Sequence, residues 1–258
     1  MKQITGYIGR QTTLATNHVL VLLALTCRLI SLSTRSPVQG RALVRKVIFE
    51  QVFFTAIQAL PLVIPIALVL GSALIAQFAR FSGQYDPGKI MVILVVRELG
   101  PIITALLVIL RSATSVTIEL GYMGVLHEIE AIEMAGVDPL RVICVPRLIG
   151  ITSAILSLFI VFDLFAILGG YMLVWIFTYA PVGSFFNQIT KAITATDIIV
   201  GMIKALCFGI TITVTSLYHG FQTHRRITDI PPATSRAAIE CFFYCIIINV
   251  FISLLFYM

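Results

Sequence analysis

The chain has 258 residues, of which 59% are hydrophobic and 12% are charged, and its mean hydropathy is +1.01. A soluble domain typically carries about a quarter charged residues. The composition therefore excludes an ordinary soluble protein and predicts an all-α, polytopic membrane protein. The formal net charge of +6 lies mostly beside apolar runs, where anionic lipid accounts for it. No nucleic-acid partner is expected.

The N-terminal stretch 11–34 mixes Leu and Val with polar residues such as Asn17, His18 and Arg28. This mixture predicts an amphipathic helix that lies in the membrane interface. A weak first membrane span is the alternative. No small-residue cleavage motif follows the apolar run 19–25, so a cleaved signal peptide is not expected.

Five further segments hold about 20 or more mostly apolar residues, which is the length that crosses a bilayer. They are predicted at about 50–79, 90–118, 146–174, 195–218 and 237–257. An amphipathic entry precedes the first of them, and Pro61 and Pro65 are expected to kink it. No long loop separates the segments, so residues 1–258 are predicted to form a single membrane domain.

Basic residues predict the orientation of these spans. Thirteen lysines and arginines fall on one side, in the stretches 1–50, 111–147 and 219–236. The other side has only Arg80, Lys89 and Lys191. Because basic residues concentrate in cytoplasmic segments, the N-terminus is predicted to be cytoplasmic and the C-terminus to lie on the opposite side.

A short acidic helix is predicted at 125–136, between the second and third spans, on the cytoplasmic side. Ile132 and Met134 give it an apolar face that could enter a groove on a soluble partner. Gly136 can end the helix in a left-handed conformation. The residues predicted to couple it to a partner are Glu128, Glu130, Ile132, Glu133, Met134 and Gly136. A solvated linker between two spans is the alternative.

Two adjacent ionisable residues, Arg97 and Glu98, begin the second span. Charges in a membrane helix are costly and usually face a cavity or each other. One hypothesis is that they brace neighbouring helices. The other is that they form the polar rim of a lipid cavity with an apolar wall on one face of the preceding span. The residues predicted to line that cavity are Leu70, Leu74, Phe78, Arg97 and Glu98.

Signatures of enzymes and metal sites are missing. The chain has no G-x-x-x-x-G-K-[ST] loop for ATP, and no catalytic residue is predicted. Cys241 and Cys245 share a helix face but are expected to be buried apolar residues, and the four histidines do not cluster in the sequence, so no metal site is expected. Asp163 lies inside the third span, where helix packing or a water contact is its expected role.

Several motifs in order carry a resemblance to a known family. They are Arg97-Glu98-Leu99-Gly100-Pro101, Glu119-Leu120-Gly121, the stretch from Glu130 to Leu140, and Pro146-Arg147. Their order and spacing over about 90–172 resemble the MlaE/YrbE permease family. These proteins are the membrane subunits of ABC transporters that work with mammalian-cell-entry (MCE) domain proteins.

The resemblance implies a multi-pass permease of the bacterial inner membrane that moves phospholipid between inner and outer membranes and so maintains outer-membrane lipid asymmetry. It implies a homodimer, cytoplasmic ATPase subunits that bind ATP, and a periplasmic MCE ring. No cofactor is expected in this chain. Small residues are predicted to support close helix packing in the dimer: Gly100, Ser112, Ala113, Gly169 and Gly170.

Other functions agree less well with the sequence. An ion-coupled secondary transporter would use Asp163, Glu98 or Lys204, but such proteins usually show repeated halves, and no internal repeat is visible. An intramembrane enzyme would need convergent catalytic groups, which the sequence does not indicate. A permease of the same family for another hydrophobic substrate, such as a sterol, is a further alternative.

Overall fold

The computed structural model describes residues 2–34, 41–79, 92–178, 187, 190–191, 193–223 and 226–257. Across these residues every regular element is helical, which confirms the predicted all-α class. The α-helices are α1 Lys2–Thr34, α2 Arg41–Thr55, α3 Leu60–Ala79, α4 Gly100–Val108, α5 Thr114–Val125, α6 Glu128–Met134, α7 Val145–Thr178, α8 Ala195–Phe221 and α9 Ile230–Tyr257.

Six helical stretches in the described part are long and apolar enough to cross a membrane, which confirms a polytopic membrane protein. They are Thr16–Ser33, Val44–Leu74, Ile93–Val125, Leu140–Leu173, Ala195–Phe221 and Ile227–Phe256. Each of the last five overlaps one of the five predicted spans over most of its length. The first lies in α1, which contacts α7, α8 and the segment Leu140–Cys144. Its placement in the membrane interface stays a prediction.

The predicted kink is a break between two helices. A 3₁₀ turn at Ile57–Ala59 separates α2 from α3, just before Pro61. Pro61 has no N–H to donate to the carbonyl of Ile57, so an α-helix cannot continue unchanged through this point. Pro65 lies inside α3 without ending it.

Three π-helical segments, Val92–Leu99, Ile109–Ala113 and Leu140–Cys144, interrupt the long helices. A π-helical turn inserts an extra residue and changes which side chains face a neighbouring helix. The last helix begins at Ile230, earlier than the predicted 237. Prolines at positions 231 and 232 fit its first turn because the first N–H groups of a helix have no intrahelical acceptor.

Helices α3 and α7 approach closely through glycines. A Cβ atom at Gly71 would lie 1.9 Å from the carbonyl oxygen of Ala166, and one at Gly169 would lie 2.3 Å from that of Leu68. Both distances are far inside van der Waals contact, and the opposing atoms belong to the backbone. Glycine at these positions therefore allows the two helices to pack against each other.

We expect Gly71→Ala to destabilise the protein. Alanine normally stabilises a helix by about 1 kcal/mol relative to glycine, but overpacking here should reverse the sign and give a net loss of at least about 1 kcal/mol. Unfolding in mixed detergent, followed by fluorescence of the single tryptophan, Trp175, measures the difference. Ala73→Leu on the exposed face of α3 is the control. A Gly71→Ala variant as stable as the parent would contradict this packing.

Candidate functional site

Charged and polar side chains meet at one end of the helix bundle. This end is formed by the Val92–Leu99 segment, the first turns of α8 and the last turns of α9. We call the set the polar network, and its members are Arg97, Glu98, Asp197, Lys204, Asn249 and Ser253. The sequence predicts Arg97 and Glu98 as cavity residues and names Lys204 only in the ion-coupled alternative.

Arg97 is held by a carboxylate on α8. Its Nε lies 2.8 Å from Oδ1 of Asp197, and its Nη2 donates to Oδ2 at 3.2 Å. Asp197 also accepts hydrogen bonds from the backbone N–H and the hydroxyl of Thr194, at 2.9 and 2.8 Å. This capping arrangement fixes the carboxylate at the beginning of α8, so the arginine is tied to the end of that helix.

Lys204 is fully buried in α8. Its Nζ donates to the backbone carbonyl of Arg97 at 2.7 Å and to the hydroxyl of Ser253 at 2.6 Å. In an α-helix the N–H of residue 101 would donate to that carbonyl. Residue 101 is Pro101, which has no N–H. The proline therefore leaves an acceptor for the lysine.

Glu98 supplies the negative charge that Lys204 requires. Its carboxylate oxygens lie 3.4 Å from the lysine Nζ. They also accept hydrogen bonds from Asn249 at 2.8 Å and Ser253 at 2.7 Å, both on α9. Side chains of adjacent helical residues point about 100° apart, so Glu98 reaches both helices while its neighbour, Arg97, reaches Asp197. These contacts brace three helices against one another.

The apolar residues predicted to share a cavity with this network lie on α3. Leu70 and Leu74 are half-buried and pack against the hydrophobic core. The side chain of Phe78 lies outside the described residues. The hydrogen bonds and ion pairs described for Arg97 and Glu98 go to α8 and α9. They do not connect the predicted polar rim to the predicted apolar wall on α3. The assignment of a lipid to these residues stays a prediction.

Asp163 is a second carboxylate inside the bundle. It is buried in α7, and its Oδ1 has no hydrogen-bond partner among the described residues. A Cβ atom at Gly100 would lie 2.3 Å from this oxygen. Any larger residue at position 100 would collide with this carboxyl group, so Gly100 provides the space that Asp163 occupies.

The predicted acidic helix is α6, and it is shorter than expected. It is separated from α5 by His127, whose φ is 58°, and it is followed by Gly136, whose φ is 77°. Both residues adopt the left-handed conformation, which ends regular helix. After α6, the N–H of Val137 donates to the carbonyl of Ile132 at 3.2 Å. The helix is thus bounded by two sharp turns of the backbone, as predicted for Gly136.

The apolar residues of α6 point in two directions. Ile129 is buried and Ile132 packs partly against the core, whereas Met134 is 83% exposed. The sequence predicts one apolar face from Ile132 and Met134, but in the structure Ile132 packs against the core and anchors the helix to the bundle. Met134 and the neighbouring Val137, which is 43% exposed, are the apolar side chains free to meet a partner.

The sequence does not predict the contacts of four members of the polar network, which are Asp197, Lys204, Asn249 and Ser253. Thr194 and Asp197 form a visible capping pattern, but this pattern does not indicate a contact with Arg97. Pro101 indicates that the carbonyl of Arg97 lacks its α-helical donor, but not that Lys204 meets it. Nothing in the sequence indicates that Asn249 or Ser253 contacts a residue about 150 positions earlier.

An apolar helical bundle with ion pairs between its helices and a short acidic helix between two membrane-length stretches is a polytopic membrane protein. The family model described as "Permease MlaE" matches residues 48–255. The chain belongs to the MlaE permease family.

Similar proteins occur in diverse bacteria. The chain is 29% identical over 221 residues to a "Probable ABC transporter permease protein" of Rickettsia prowazekii, covering 81% of this chain and 83% of that protein. It is 28% identical over 209 residues to the "Intermembrane phospholipid transport system permease protein MlaE" of Haemophilus influenzae, covering 78% and 80%. A Synechocystis permease is 24% identical over 220 residues, covering 83% of each chain.

We expect Glu98→Gln to destabilise the bundle because it leaves a buried ammonium group without its anion. Removal of one partner from a fully buried pair costs about 3–5 kcal/mol. Glu98 is 35% exposed, so we expect roughly half of that loss. The double variant Glu98→Gln/Lys204→Met should lose less than the sum of the single variants. Detergent unfolding measures all three.

The control for this experiment is the pair Lys46 and Glu50, which are 3.8 Å apart and both exposed. Lys46→Met should change stability by less than about 0.5 kcal/mol. Additive losses at Glu98 and Lys204, or a Glu98→Gln effect as small as the control, would contradict the proposed coupling.

Proposed function

We propose that this chain is the permease subunit of an ABC transporter that moves phospholipid between the inner and outer membranes of a Gram-negative bacterium. The observation that supports this proposal is membership of the MlaE permease family over 48–255. The Haemophilus influenzae relative is named for intermembrane phospholipid transport. In this proposal the chain lies in the inner membrane with a cytoplasmic N-terminus and a periplasmic C-terminus.

ATP would be bound and hydrolysed by a separate subunit, because the chain has no phosphate-binding loop of the G-x-x-x-x-G-K-[ST] type. The proposed docking element is α6. Its exposed end at Met134 would enter the ATPase, while Ile129 and Ile132 transmit the movement to the bundle. Since α6 lies between α5 and α7, a displacement of α6 would shift both helices as rigid units.

The proposed transporter contains two copies of the permease and a periplasmic ring of MCE-domain proteins, as the family resemblance implies. Four of the five small residues suggested for the dimer contact already pack within the chain, among them Gly100, which lies against Asp163. Ser112 and Ala113 are fully buried within the chain, and Gly169 packs against Leu68. We therefore infer that the two copies meet through other, exposed apolar residues.

The proposed lipid site keeps the predicted residues and gives them different roles. Leu70, Leu74 and Phe78 would contact acyl chains along α3. Arg97 keeps 25% of its side chain exposed while paired with Asp197, so its guanidinium could also meet a phosphate. Glu98 would hold the polar end of the site in place through its ion pair with Lys204 on α8. The pairing of Glu98 with Lys204 occupies two of the three residues that the ion-coupled alternative would use, so that alternative would have to rely on Asp163 alone.

We expect Met134→Asp to weaken binding of the ATPase that co-purifies with the parent permease. A charge replacing an exposed apolar anchor should reduce affinity at least about tenfold, a loss of about 1.4 kcal/mol. Met134→Leu keeps an apolar side chain and should bind like the parent. Biolayer interferometry with the purified ATPase measures both. Equal affinity of the Asp and Leu variants would refute docking through Met134, and a parent that binds no ATPase would refute the transporter assignment.

We expect a photo-crosslinking residue at Leu74 to capture phospholipid in amounts that change when ATP hydrolysis is trapped with vanadate. The same residue at Leu164, which is 62% exposed on α7, should capture surrounding lipid regardless of vanadate. Mass spectrometry of the adducts measures the difference. Leu74→Trp should reduce transport several-fold without lowering the unfolding temperature. Capture at Leu74 that ignores vanadate, with full transport by the Trp variant, would place the lipid elsewhere.

A further inference from the structure

A second polar cluster lies far from the polar network, where α1 meets α8 and α9. Residues 200 and more positions apart converge there. The Nε2 atoms of His18 and His219 both contact the carboxylate of Glu240, one at each oxygen. His219 lies at the last turn of α8, so the cluster is near the end of the bundle opposite the polar network. Among the described residues, no ion pair joins this cluster to the polar network.

The three side chains offer the donor atoms of a metal site. One ligand atom from each residue lies within 4.8 Å of the other two. Ligands about 2.1 Å from a tetrahedral zinc ion are about 3.4 Å apart. The present arrangement thus needs side-chain shifts of about 1 Å to enclose an ion. Two imidazoles and one carboxylate are also the ligands of zinc sites that keep a fourth position open.

Two tyrosine hydroxyls form hydrogen bonds with the proposed ligands. The hydroxyl of Tyr218 lies 3.1 Å from Nδ1 of His18, and the hydroxyl of Tyr244 donates to Oε1 of Glu240 at 2.7 Å. A partner on Nδ1 fixes the orientation of an imidazole and directs Nε2 inward, as metal-bound histidines require. An ordinary histidine–carboxylate pair needs neither a second histidine nor this support.

The cluster is also accessible. The side chains of His18, His219 and Glu240 are 26%, 10% and 20% exposed, so an ion could enter without unfolding the bundle. An apolar cavity of about 230 Å³ adjoins it, lined by residues of α1, α8 and α9 that include Leu22, Val214 and Tyr244. Low polarity on that side strengthens the attraction between a cation and the carboxylate.

We propose that His18, His219 and Glu240 form a binding site for a divalent transition-metal ion of the zinc class, which ties α1 to α8 and α9. The two histidines bind through Nε2, Glu240 supplies a carboxylate oxygen, and water completes the coordination. The ion replaces the direct histidine–carboxylate contacts and adds a link between α1 and the packed pair of helices α8 and α9.

The full chain, purified in detergent and stripped of metal with a chelator, is titrated with Co²⁺ and then with competing Zn²⁺. We expect visible absorption bands of four-coordinate Co²⁺, one equivalent per chain, and loss of the bands when zinc is added. His18→Gln, His219→Gln and Glu240→Gln should each abolish the bands. Tyr218→Phe retains all three ligands and should weaken binding by about ten- to a hundredfold.

His127→Gln is the matched control. His127 also contacts a glutamate, Glu130, at 3.0 Å, but this pair is exposed and has no third ligand among the described residues. The control should bind one ion like the parent. A parent that binds neither ion at micromolar concentration, or binding that survives all three ligand substitutions, would overturn the proposal.

X-ray absorption of zinc bound to the parent protein tests the ligands without any substitution. Two imidazoles and oxygen ligands support the site. Sulfur ligands would overturn it, since they would assign the ion to cysteines. Zinc should also raise the thermal unfolding temperature of the parent and the control but not of the three ligand variants.

Discussion

The bundle depends on a buried ammonium group, that of Lys204, in an apolar environment. A lysine near the centre of a membrane helix costs about 2.5–3.5 kcal/mol on insertion scales. Here its Nζ is met by the carbonyl of Arg97, the hydroxyl of Ser253 and the carboxylate of Glu98. Each acceptor lies on a helix other than α8. Burial of the lysine is therefore tolerated only when three helices are in place together, which makes this contact a determinant of their register.

Buried contacts also fix the position of α6, the short helix between α5 and α7. Helix α6 is polar and would have no fixed position if it were merely a linker. Ile129 and Ile132 bury part of its surface against the bundle, while Met134 remains exposed. The left-handed residues His127 and Gly136 bound this helix, so it has a defined beginning and end. Rigidity in the bundle and exposure at α6 are complementary, because a movement can be transmitted only through elements that do not deform.

Much of this architecture could be predicted from the sequence. Hydropathy located the membrane-crossing helices, and Gly136 marked the end of α6, because these features are local. Contacts across about 100–150 residues could not be predicted, and so Asp197, Lys204 and Asn249 were missed as partners of Arg97 and Glu98. The face of Ile132 was assigned wrongly because a seven-residue helix has too few turns for its periodicity to show which side is buried. The two histidines that meet at Glu240 lie on α1 and α8, about 200 residues apart in the sequence, so their contact could not be predicted either.

The carbonyl that Pro101 leaves without an α-helical donor precedes Lys204 by about a hundred residues along the chain. Synthesis proceeds from the N-terminus, so Arg97 and Glu98 are made before Lys204, whereas Asn249 and Ser253 are made after it. The enclosure of the lysine is therefore complete only once α9, the last helix, has been made.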